Sequence, residues 1–563
     1  MKTTVIDIPL LASPDFAHKV RVERTGRFVQ LPINRWCNQP LLMLRAAALA
    51  LRARLRDAAV ASRNFPDRAA TPPFPRRGIA LAPLLATFLI ATLGILPAAA
   101  QEPVDLAMVG RIKQEGLQRS RAQEIYLTLT DRIGARLTAS PAYTQAARWA
   151  QARFTEFGLA NARLEPFAFP RGWSLEKISV EMTVPRYMPL IAYADAWTPS
   201  LGRAVSGRVV YIGDKSAAEV EAMAAQLRGA IVLTHLPQSQ FIDTDRPQPG
   251  LADQPVRTGN PASPQARSTT PANQLQPILQ KAGAAVTLKP SPYRDGTVGV
   301  LGTVNTQTNS VPSIVLAAEQ YNMLARMASS GQAPEVRVEL TARYHQDDPN
   351  TYNVIAEIPG NDPALRDEVV LVGAHLDSWH TGNGATDNGD GVTAAMEAMR
   401  ILAALKAQPR RTIRVALWSG EEQGLLGARA YIAQHLTDEA SRNKLAVYFN
   451  DDPGSGKTLG FYMEGNRAAK TIFDAWLEPL KELGATRNII EGIGSTDHVP
   501  FNEAGMPGFN NIKDFDGYDV RTRHTNVDFP DRVTEDELKQ SAIVLASFAW
   551  HAAQRNEKIP RGK

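Results

Sequence analysis

Residues 369–391, VVLVGAHLDSWHTGNGATDNGDG, join a short apolar run to a histidine and several aspartates. Residues 369–374 are apolar and rich in β-branched side chains, which is typical of a strand buried on both faces of a parallel sheet. Open α/β sheets bind ligands at the carboxyl ends of their strands, so we expect His375 and Asp377 at that edge, with the glycine-rich loop to Asp387 folded back over it. Imidazole nitrogens and carboxylate oxygens are ligands that a catalytic zinc prefers. The His-x-Asp pair alone is a weak signal, because most such pairs are ordinary surface or hydrogen-bonded residues.

Two later predicted strands also end in acidic residues. Residues 412–418 run into Ser-Gly-Glu421-Glu422, and residues 445–449 run into Asn-Asp451-Asp452. In a doubly wound sheet these strand ends converge, and a metal site requires such convergence. The alternative is that acidic residues simply collect in loops. Adjacent carboxylates after a buried strand favour the metal site, since like charges repel unless a cation or solvent neutralises them.

The length and charge of the chain indicate several globular units. A chain of 563 residues predicts about three structural units, and 44% hydrophobic against 21% charged residues is typical of globular protein. Residues 1–100 hold 14 of the 62 basic and 5 of the 57 acidic residues, so the remaining 48 basic and 52 acidic residues leave a net charge of −4. The mildly acidic body argues against a nucleic-acid partner.

The N-terminal hundred residues predict export. Arg76 and Arg77 precede an apolar run at 79–96 and the small-residue sequence Pro-Ala-Ala-Ala at 97–100, so residues 76–100 are predicted to be a secretory signal peptide. The alternative is a retained membrane anchor, since 18 residues is near the lower limit for a span. Cleavage predicts a periplasmic or extracellular protein without stable membrane association. Residues 1–75 form a basic prefix that holds the only cysteine, Cys37, and they are then not part of the mature protein. A mature protein without cysteine excludes thiol catalysis and disulfides.

The rest of the chain divides at two composition changes. Residues 101–200 begin with helical periodicity and are assigned to the N-terminal part of the main domain. Residues 201–340 show short strands interleaved with helices and a polar surface excursion at 241–274, which predicts a small β-rich domain. Its His235 and Tyr321 are interpreted as packing residues. Residues 341–563 return to α/β alternation and carry the candidate site.

Six segments give a family resemblance. GAHLDS, TDNGDG, WSGEEQGLLG, FNDDPG, STDHVPF and RHTNVD occur in this order, and the set resembles the co-catalytic zinc exopeptidases of metallopeptidase family M28, which include bacterial leucyl aminopeptidases, glutamate carboxypeptidases and carboxypeptidase Q. The resemblance covers about residues 105–555, and IGARLTASPAY at 133–143 is similar to the family's N-terminal signature. It implies an α/β fold with a mixed, mostly parallel sheet and helices on both faces. Residues 201–340 resemble the protease-associated domain that many members insert.

The resemblance also implies roles for individual residues and two Zn²⁺ per chain. Asp387 bridges both ions, and Glu421 is the general base. Asp377 accepts a hydrogen bond from the far ring nitrogen of a liganding histidine and fixes its tautomer. The remaining ligands are His375 and Asp452 for one ion, and Glu422 and His524 for the other. Asp451 competes with Asp452, which is preferred because the Pro-Gly after it matches the carboxypeptidase Q branch.

The implied function is that of an exported di-zinc exopeptidase, which hydrolyses terminal bonds of peptides or dipeptides with a water that bridges the two ions. Two alternatives are an inactive, receptor-like scaffold of the same fold and a signal-anchored binding protein. One departure concerns Arg523, which stands where many relatives have an aromatic residue that helps to stabilise the oxyanion. Tyr518 or a zinc ion are the substitutes for that role.

The expected partners are peptide substrates, and a homodimer is one option for the oligomeric state. The sequence leaves open whether the substrate is held by its amine, its carboxylate or both. Arg521, Arg523 and Lys513 lie near the last ligand and are candidates for holding a carboxylate, although exposed basic residues in a loop are usually solvated. His498 is expected by resemblance to line the pocket.

Overall fold

The computed structural model describes residues 102–250 and 264–562. The predicted prefix, Cys37 and the signal segment at 76–100 lie outside the described residues. Within those residues, no helix has the length and apolar character needed to cross a membrane.

The helices and strands of the described residues alternate along most of the chain. The helices are α1 (Leu106–Gln118), α2 (Ala122–Leu127), α3 (Pro141–Glu156), α4 (Ala217–Ala222), α5 (Ala224–Leu227), α6 (Ala272–Ala282), α7 (Ala318–Ser329), α8 (Asp390–Ala404), α9 (Leu426–His435), α10 (Glu439–Lys444), α11 (Arg467–Leu477), α12 (His498–Glu503) and α13 (Glu535–Gln554). The strands are β1 (Ala160–Ala168), β2 (Gly172–Val184), β3 (Met188–Pro189), β4 (Ala192–Ala194), β5 (Val205–Tyr211), β6 (Ile231–Leu233), β7 (Val286–Pro290), β8 (Ser313–Leu316), β9 (Glu335–His345), β10 (Asn350–Ile358), β11 (Val369–His375), β12 (Thr412–Trp418), β13 (Leu445–Asn450), β14 (Ser455–Phe461) and β15 (Gly508–Asp514).

The first sheet has seven strands in the order β1-β10-β12-β11-β13-β15-β14. Its four central strands, β12, β11, β13 and β15, are parallel, and the strands outside them pair antiparallel. The carboxyl ends of the central strands therefore lie along one edge. The predicted α/β fold with a mixed sheet is confirmed.

Side chains of β11 pack alternately on both faces of this sheet. Val370, Val372 and Ala374 belong to the large apolar core that also includes residues of α1, α3, α8, α11 and α13. Leu371 lies in a separate cluster on the other face, with residues of α9 and α12. A strand covered by helices on both faces needs apolar side chains in both directions, which explains why residues 369–374 are continuously apolar.

The second sheet has eight strands in the order β3-β2-β9-β5-β6-β7-β8-β4. Strands β5 to β8 are parallel, and the long strands β2 and β9 pair antiparallel between Gly172 and His345. Residues of α4, α5 and α6 pack around Val232 in one apolar cluster, and residues of α7 pack in another. The sheet thus extends beyond both ends of the predicted 201–340 insert. That domain division stays a prediction.

Candidate metal centre

The site lies at the carboxyl ends of the central parallel strands. His375 is the last residue of β11, Glu421 and Glu422 follow β12, and Asp452 follows β13. The loop after β11 returns to the same edge at Asp387, just before α8 begins. Strand polarity therefore brings together side chains from three separate parts of the sequence.

Seven predicted site residues converge here, and five of them form two groups that could each hold a metal ion. One group is His375, Asp387 and Asp452, and the other is Asp387, Glu422 and His524; within each group the ligand atoms lie within 4.8 Å of one another. The two groups share Asp387. Its Oδ1 lies 3.3 Å from Nε2 of His375, and its Oδ2 lies 3.2 Å from Nε2 of His524.

The remaining distances complete the two groups. Oδ1 of Asp452 lies 3.7 Å from Nε2 of His375, and Oε2 of Glu422 lies 3.0 Å from Nε2 of His524. Nε2 of His375, Oε1 of Glu422 and Oδ1 of Asp452 are buried and have no hydrogen-bond partner among the described residues. A buried polar atom without a partner is costly, so this set of nitrogen and oxygen donors fits a zinc ion chemically.

The carboxylates of the centre also favour a positive charge at its histidines. Burial by itself lowers the pKa of His375, but the carboxylates of Glu421 and Asp452 outweigh burial and hold that pKa well above its usual range. Burial raises the pKa of Asp387, but the adjacent imidazoles of His375 and His524 outweigh burial and hold that pKa well below its usual range. The carboxylates thus draw protons onto the imidazoles, and a bound cation would replace those protons.

Asp377 differs from its predicted role. The Nδ1 atom of His375 lies 3.0 Å from the backbone oxygen of Asp377 and 3.9 Å from its carboxylate, so the ring bonds the carbonyl instead. The carboxylate accepts hydrogen bonds from Thr138 Oγ1 at 2.9 Å and from the backbone N–H groups of Glu421 and Glu422 at 3.2 and 3.3 Å. Burial raises the pKa of Asp377 to about 6. The carboxylate of Asp377 therefore holds the Glu421–Glu422 turn, while the backbone carbonyl of Asp377 fixes the imidazole of His375.

Lys513 separates the roles of the two neighbouring aspartates. Its Nζ lies 2.8 Å from Oδ1 of Asp451 and 2.7 Å from Oδ2 of Asp390, and all three side chains are at most 2% exposed. Asp451 is thereby committed to an internal ion pair, whereas Asp452 faces His375. The same pairing removes Lys513 from the candidates for holding a substrate carboxylate.

Sequence reasoning missed two residues that shape the loop before Asp387. Arg136 is fully buried and donates to the backbone oxygens of Leu376, Asn383 and Gly384. Asp528 accepts hydrogen bonds from the backbone N–H groups of Thr386 and Asp387 at 2.8 and 3.2 Å. Arg136 lies within the IGARLTASPAY segment and Asp528 is the last residue of RHTNVD, so both residues stand in segments that carry the family resemblance.

Residues 298–300, between β7 and β8 of the second sheet, contact the segment that carries His524. Val300 N–H donates to the His524 oxygen at 3.1 Å, and Asn526 N–H donates to the Val298 oxygen at 3.1 Å. Val298 N–H donates in turn to Oδ1 of Asn526 at 2.7 Å, and Gly299 pairs with Thr525 in an antiparallel bridge. His524 itself has φ of +58°, an uncommon conformation for a non-glycine residue. These contacts hold the last candidate ligand in place from the neighbouring unit.

The other predicted pocket residues lie in different surroundings. His498 is fully buried, with Nε2 3.1 Å from Oε1 of Glu464. Arg521 is exposed, Arg523 is partly buried, and Tyr518 is buried. His235 and Tyr321 belong to the second sheet's unit, where the Tyr321 hydroxyl bonds the backbone of His235.

An α/β sheet with His and carboxylate groups at its strand ends is an arrangement typical of metal-dependent hydrolases. Residues 353–549, the part of the chain that carries the candidate metal centre, match Peptidase family M28. Carboxypeptidase Q from Mus musculus is 27% identical over 453 residues, which cover 79% of this chain and 88% of the relative. Leupeptin-inactivating enzyme 1 from Streptomyces exfoliatus is 34% identical over 157 residues, 28% of this chain and 34% of the relative.

Solved structures share the fold. A peptidase M28 precursor from Shewanella amazonensis SB2B matches with a TM-score of 0.61 and 24% identity, covering 81% of this chain and 98% of that chain. BSAP, a zinc aminopeptidase from Bacillus subtilis, matches with a TM-score of 0.52 and 18% identity, covering 77% of this chain and 95% of that chain.

Proposed function

We propose that this chain is an exported di-zinc exopeptidase that hydrolyses terminal bonds of peptides or dipeptides. The observation that carries the proposal is the pair of ligand groups that share Asp387, since each group offers imidazole nitrogen and carboxylate oxygen from buried or partly buried side chains. A shared carboxylate with its two oxygens facing different histidines suits two neighbouring ions. The relatives named carboxypeptidase Q and zinc aminopeptidase support a peptidase with this cofactor.

Zinc ions at these groups would polarise the scissile carbonyl and acidify the attacking water. Glu421 would accept the proton of that water as the general base and then donate it to the leaving amine. Burial raises the pKa of Glu421 well above its usual range, which makes its carboxylate a stronger base. The backbone N–H of Glu421 donates a hydrogen bond to the carboxylate of Asp377. This bond fixes the turn from which the Glu421 side chain extends.

The export part of the proposal is supported by the sequence alone. The basic pair at 76–77, the apolar run at 79–96 and the small residues at 97–100 have the pattern of a signal peptide. We expect the mature protein to begin near Gln101 and a chain that starts there to fold and bind zinc. Mass analysis of the mature N-terminus tests this, and a mature protein that retains Cys37 would contradict it.

Glu421→Gln tests the catalytic assignment. The carboxamide keeps the shape of the side chain but cannot act as a base, so we expect turnover of an unblocked dipeptide to fall by about 100- to 10,000-fold. Metal content, measured on the same preparation, should be unchanged. The control is Glu482→Gln, a 71% exposed glutamate that pairs with Lys113. Wild-type turnover in Glu421→Gln would remove Glu421 from the role of general base, whereas a wild-type protein without peptidase activity and without zinc would support an inactive scaffold instead.

A further inference from the structure

Trp379 directly follows the GAHLDS segment, in the loop that leaves β11. It is 6% exposed, and it lines a small cavity together with Asp387, Glu422 and His524. These three residues form one of the two candidate ligand groups. Trp379 therefore lies beside that group, although an indole is not itself a zinc ligand.

The indole of Trp379 bonds a candidate ligand directly. Its N–H donates a hydrogen bond to Oε2 of Glu422 at 2.7 Å. A hydrogen bond to a carboxylate is shorter and stronger than one between neutral groups. The other carboxylate oxygen of Glu422, Oε1, is buried and has no hydrogen-bond partner among the described residues. The indole thus fixes the orientation of the carboxylate and leaves one of its oxygens for a metal ion.

The same ring packs against a second member of the group. The ring centres of Trp379 and His524 lie 6.0 Å apart with their planes at 64°, an edge-to-face arrangement. Within residues 102–250 and 264–562, no hydrogen bond or ring contact joins Trp379 to His375 or Asp452. The contacts of Trp379 therefore concern the unshared members of one ligand group only.

The core of the second sheet holds the ring of Trp379 from behind. Trp379 belongs to the apolar cluster of that sheet, and its ring meets the ring of Trp197 edge to face at 6.4 Å. Trp197 is fully buried. Nε2 of the next residue, His380, lies 2.9 Å from the backbone oxygen of Ala194. A ring held in this way has little freedom to turn away from Glu422.

A packing role alone would not require this hydrogen-bond partner. The indoles of Trp173 and Trp197, in the same cluster, donate to backbone carbonyls at 2.9 and 3.1 Å. Trp550 donates to Asp105 at 3.2 Å, a carboxylate outside both ligand groups. Among the indoles of the described residues, that of Trp379 is the one that donates to a candidate metal ligand.

We propose that Trp379 is a positioning residue for the ion of the Glu422–His524 group, and that it ties this ion to the core of the second sheet. This inference rests on the proposed function. A hydrogen bond from a rigid donor holds a carboxylate in its metal-binding orientation, and loss of such a bond weakens metal affinity by about 10- to 100-fold. The ion held by His375 and Asp452 should keep its affinity.

The test places Trp379→Phe in two backgrounds that each keep one ion. Asp452→Ala keeps the ion of the Glu422–His524 group, and His524→Ala keeps the other. Phenylalanine retains an aromatic ring in the core but has no N–H. Competition with a chelator should show zinc affinity lowered by about 10- to 100-fold in the first background and changed by at most about twofold in the second.

The matched control is Trp550→Phe. It removes the indole hydrogen bond to Asp105 and should leave zinc affinity within about twofold in either background. Urea unfolding of the metal-free variants shows whether each is folded. Similar stability of metal-free Trp379→Phe and Trp550→Phe, with zinc affinity lost in the former alone, would separate positioning from packing.

The indole proton gives a second readout. In protein with isotope-labelled tryptophan, observed by NMR, the Nε1–H signal of Trp379 should shift when zinc binds in the Asp452→Ala background. It should shift much less in the His524→Ala background. The reason is that a metal ion on Glu422 draws charge from the acceptor of the hydrogen bond. This measurement leaves residue 379 unchanged, so it decides the question even where Trp379→Phe does not fold.

Three outcomes would overturn the inference. Equal weakening of zinc in both backgrounds would reduce Trp379 to a packing residue, and unchanged affinity in both would show that its hydrogen bond does not hold Glu422. An indole signal that does not respond to zinc in the Asp452→Ala background would contradict the role as well. A wild-type protein that binds no zinc would instead overturn the proposed function; one that binds two ions, with any of these outcomes, would overturn only the role of Trp379.

Discussion

Replacement of Lys513 by methionine should destabilise the protein strongly. Each of its ion pairs, at 2.7 and 2.8 Å, corresponds to about 6 kcal/mol of attraction at an effective dielectric constant of about 20. The cost of burying three charges offsets most of this attraction. Removal of one partner, however, leaves Asp390 and Asp451 buried without a cation, so we expect a loss of about 3–5 kcal/mol in the free energy of unfolding.

The loss should depend on pH. Burial already raises the pKa of Asp390 to about 7, although Lys513 opposes this, and without the lysine it should rise further. A carboxyl group whose pKa in the folded state is above its unfolded value binds a proton that the unfolded chain releases. Stability therefore falls as pH rises from about 4 towards the folded pKa, and the variant should lose more at pH 8 than at pH 5.

Urea unfolding of metal-free protein at the two pH values measures this effect. The control is Lys470→Met, which breaks an exposed pair with Asp474 at 2.7 Å, with side chains 34% and 46% exposed. Its cost should be at most about 1 kcal/mol. A loss below about 1 kcal/mol in Lys513→Met at pH 8, or an equal loss at both pH values, would refute the assignment of Lys513 as the counter-ion of Asp390 and Asp451.

Two further predictions concern residues around the centre. Asp377→Ala should weaken zinc binding by about 10- to 100-fold without abolishing it, because the variant loses the acceptor of the Glu421 and Glu422 N–H groups but no ligand. Competition with a chelator measures the zinc affinity. A complete loss of zinc would contradict this role. Asn526→Ala removes the acceptor for Val298 N–H and should weaken one of two zinc ions more than the other. Equal weakening of both ions in a titration would argue against a local effect on His524.

The sequence predicted the parts of the site that follow from strand polarity. An apolar strand ending in His375 and two later strands ending in acidic residues implied convergence, because parallel strands share one carboxyl edge. The structure brings these residues together at that edge. The mixed sheet with helices on both faces follows in the same way from the continuous apolar run at 369–374.

The parts that could not be predicted depend on contacts distant in sequence. Asp451 and Asp452 are adjacent, and only Lys513, some sixty positions later, distinguishes them. The hydrogen bond of His375 goes to a carbonyl because of the local path of the backbone, which a His-x-Asp pattern does not specify. Residues 298–300, from the part of the chain that forms the second sheet, hydrogen-bond the segment that carries His524. No periodicity in either segment predicts these hydrogen bonds.

Zinc binding by wild type and by Asp387→Ala tests the central claim most directly. Wild-type protein, stripped of metal and titrated with zinc, should bind about two ions per chain. Asp387 belongs to both ligand groups, so its replacement should weaken both ions, whereas Asp452→Ala should weaken one and retain the other. Loss of a single ion in Asp387→Ala, or one ion per chain in wild type, would contradict a centre in which Asp387 is shared by two metals.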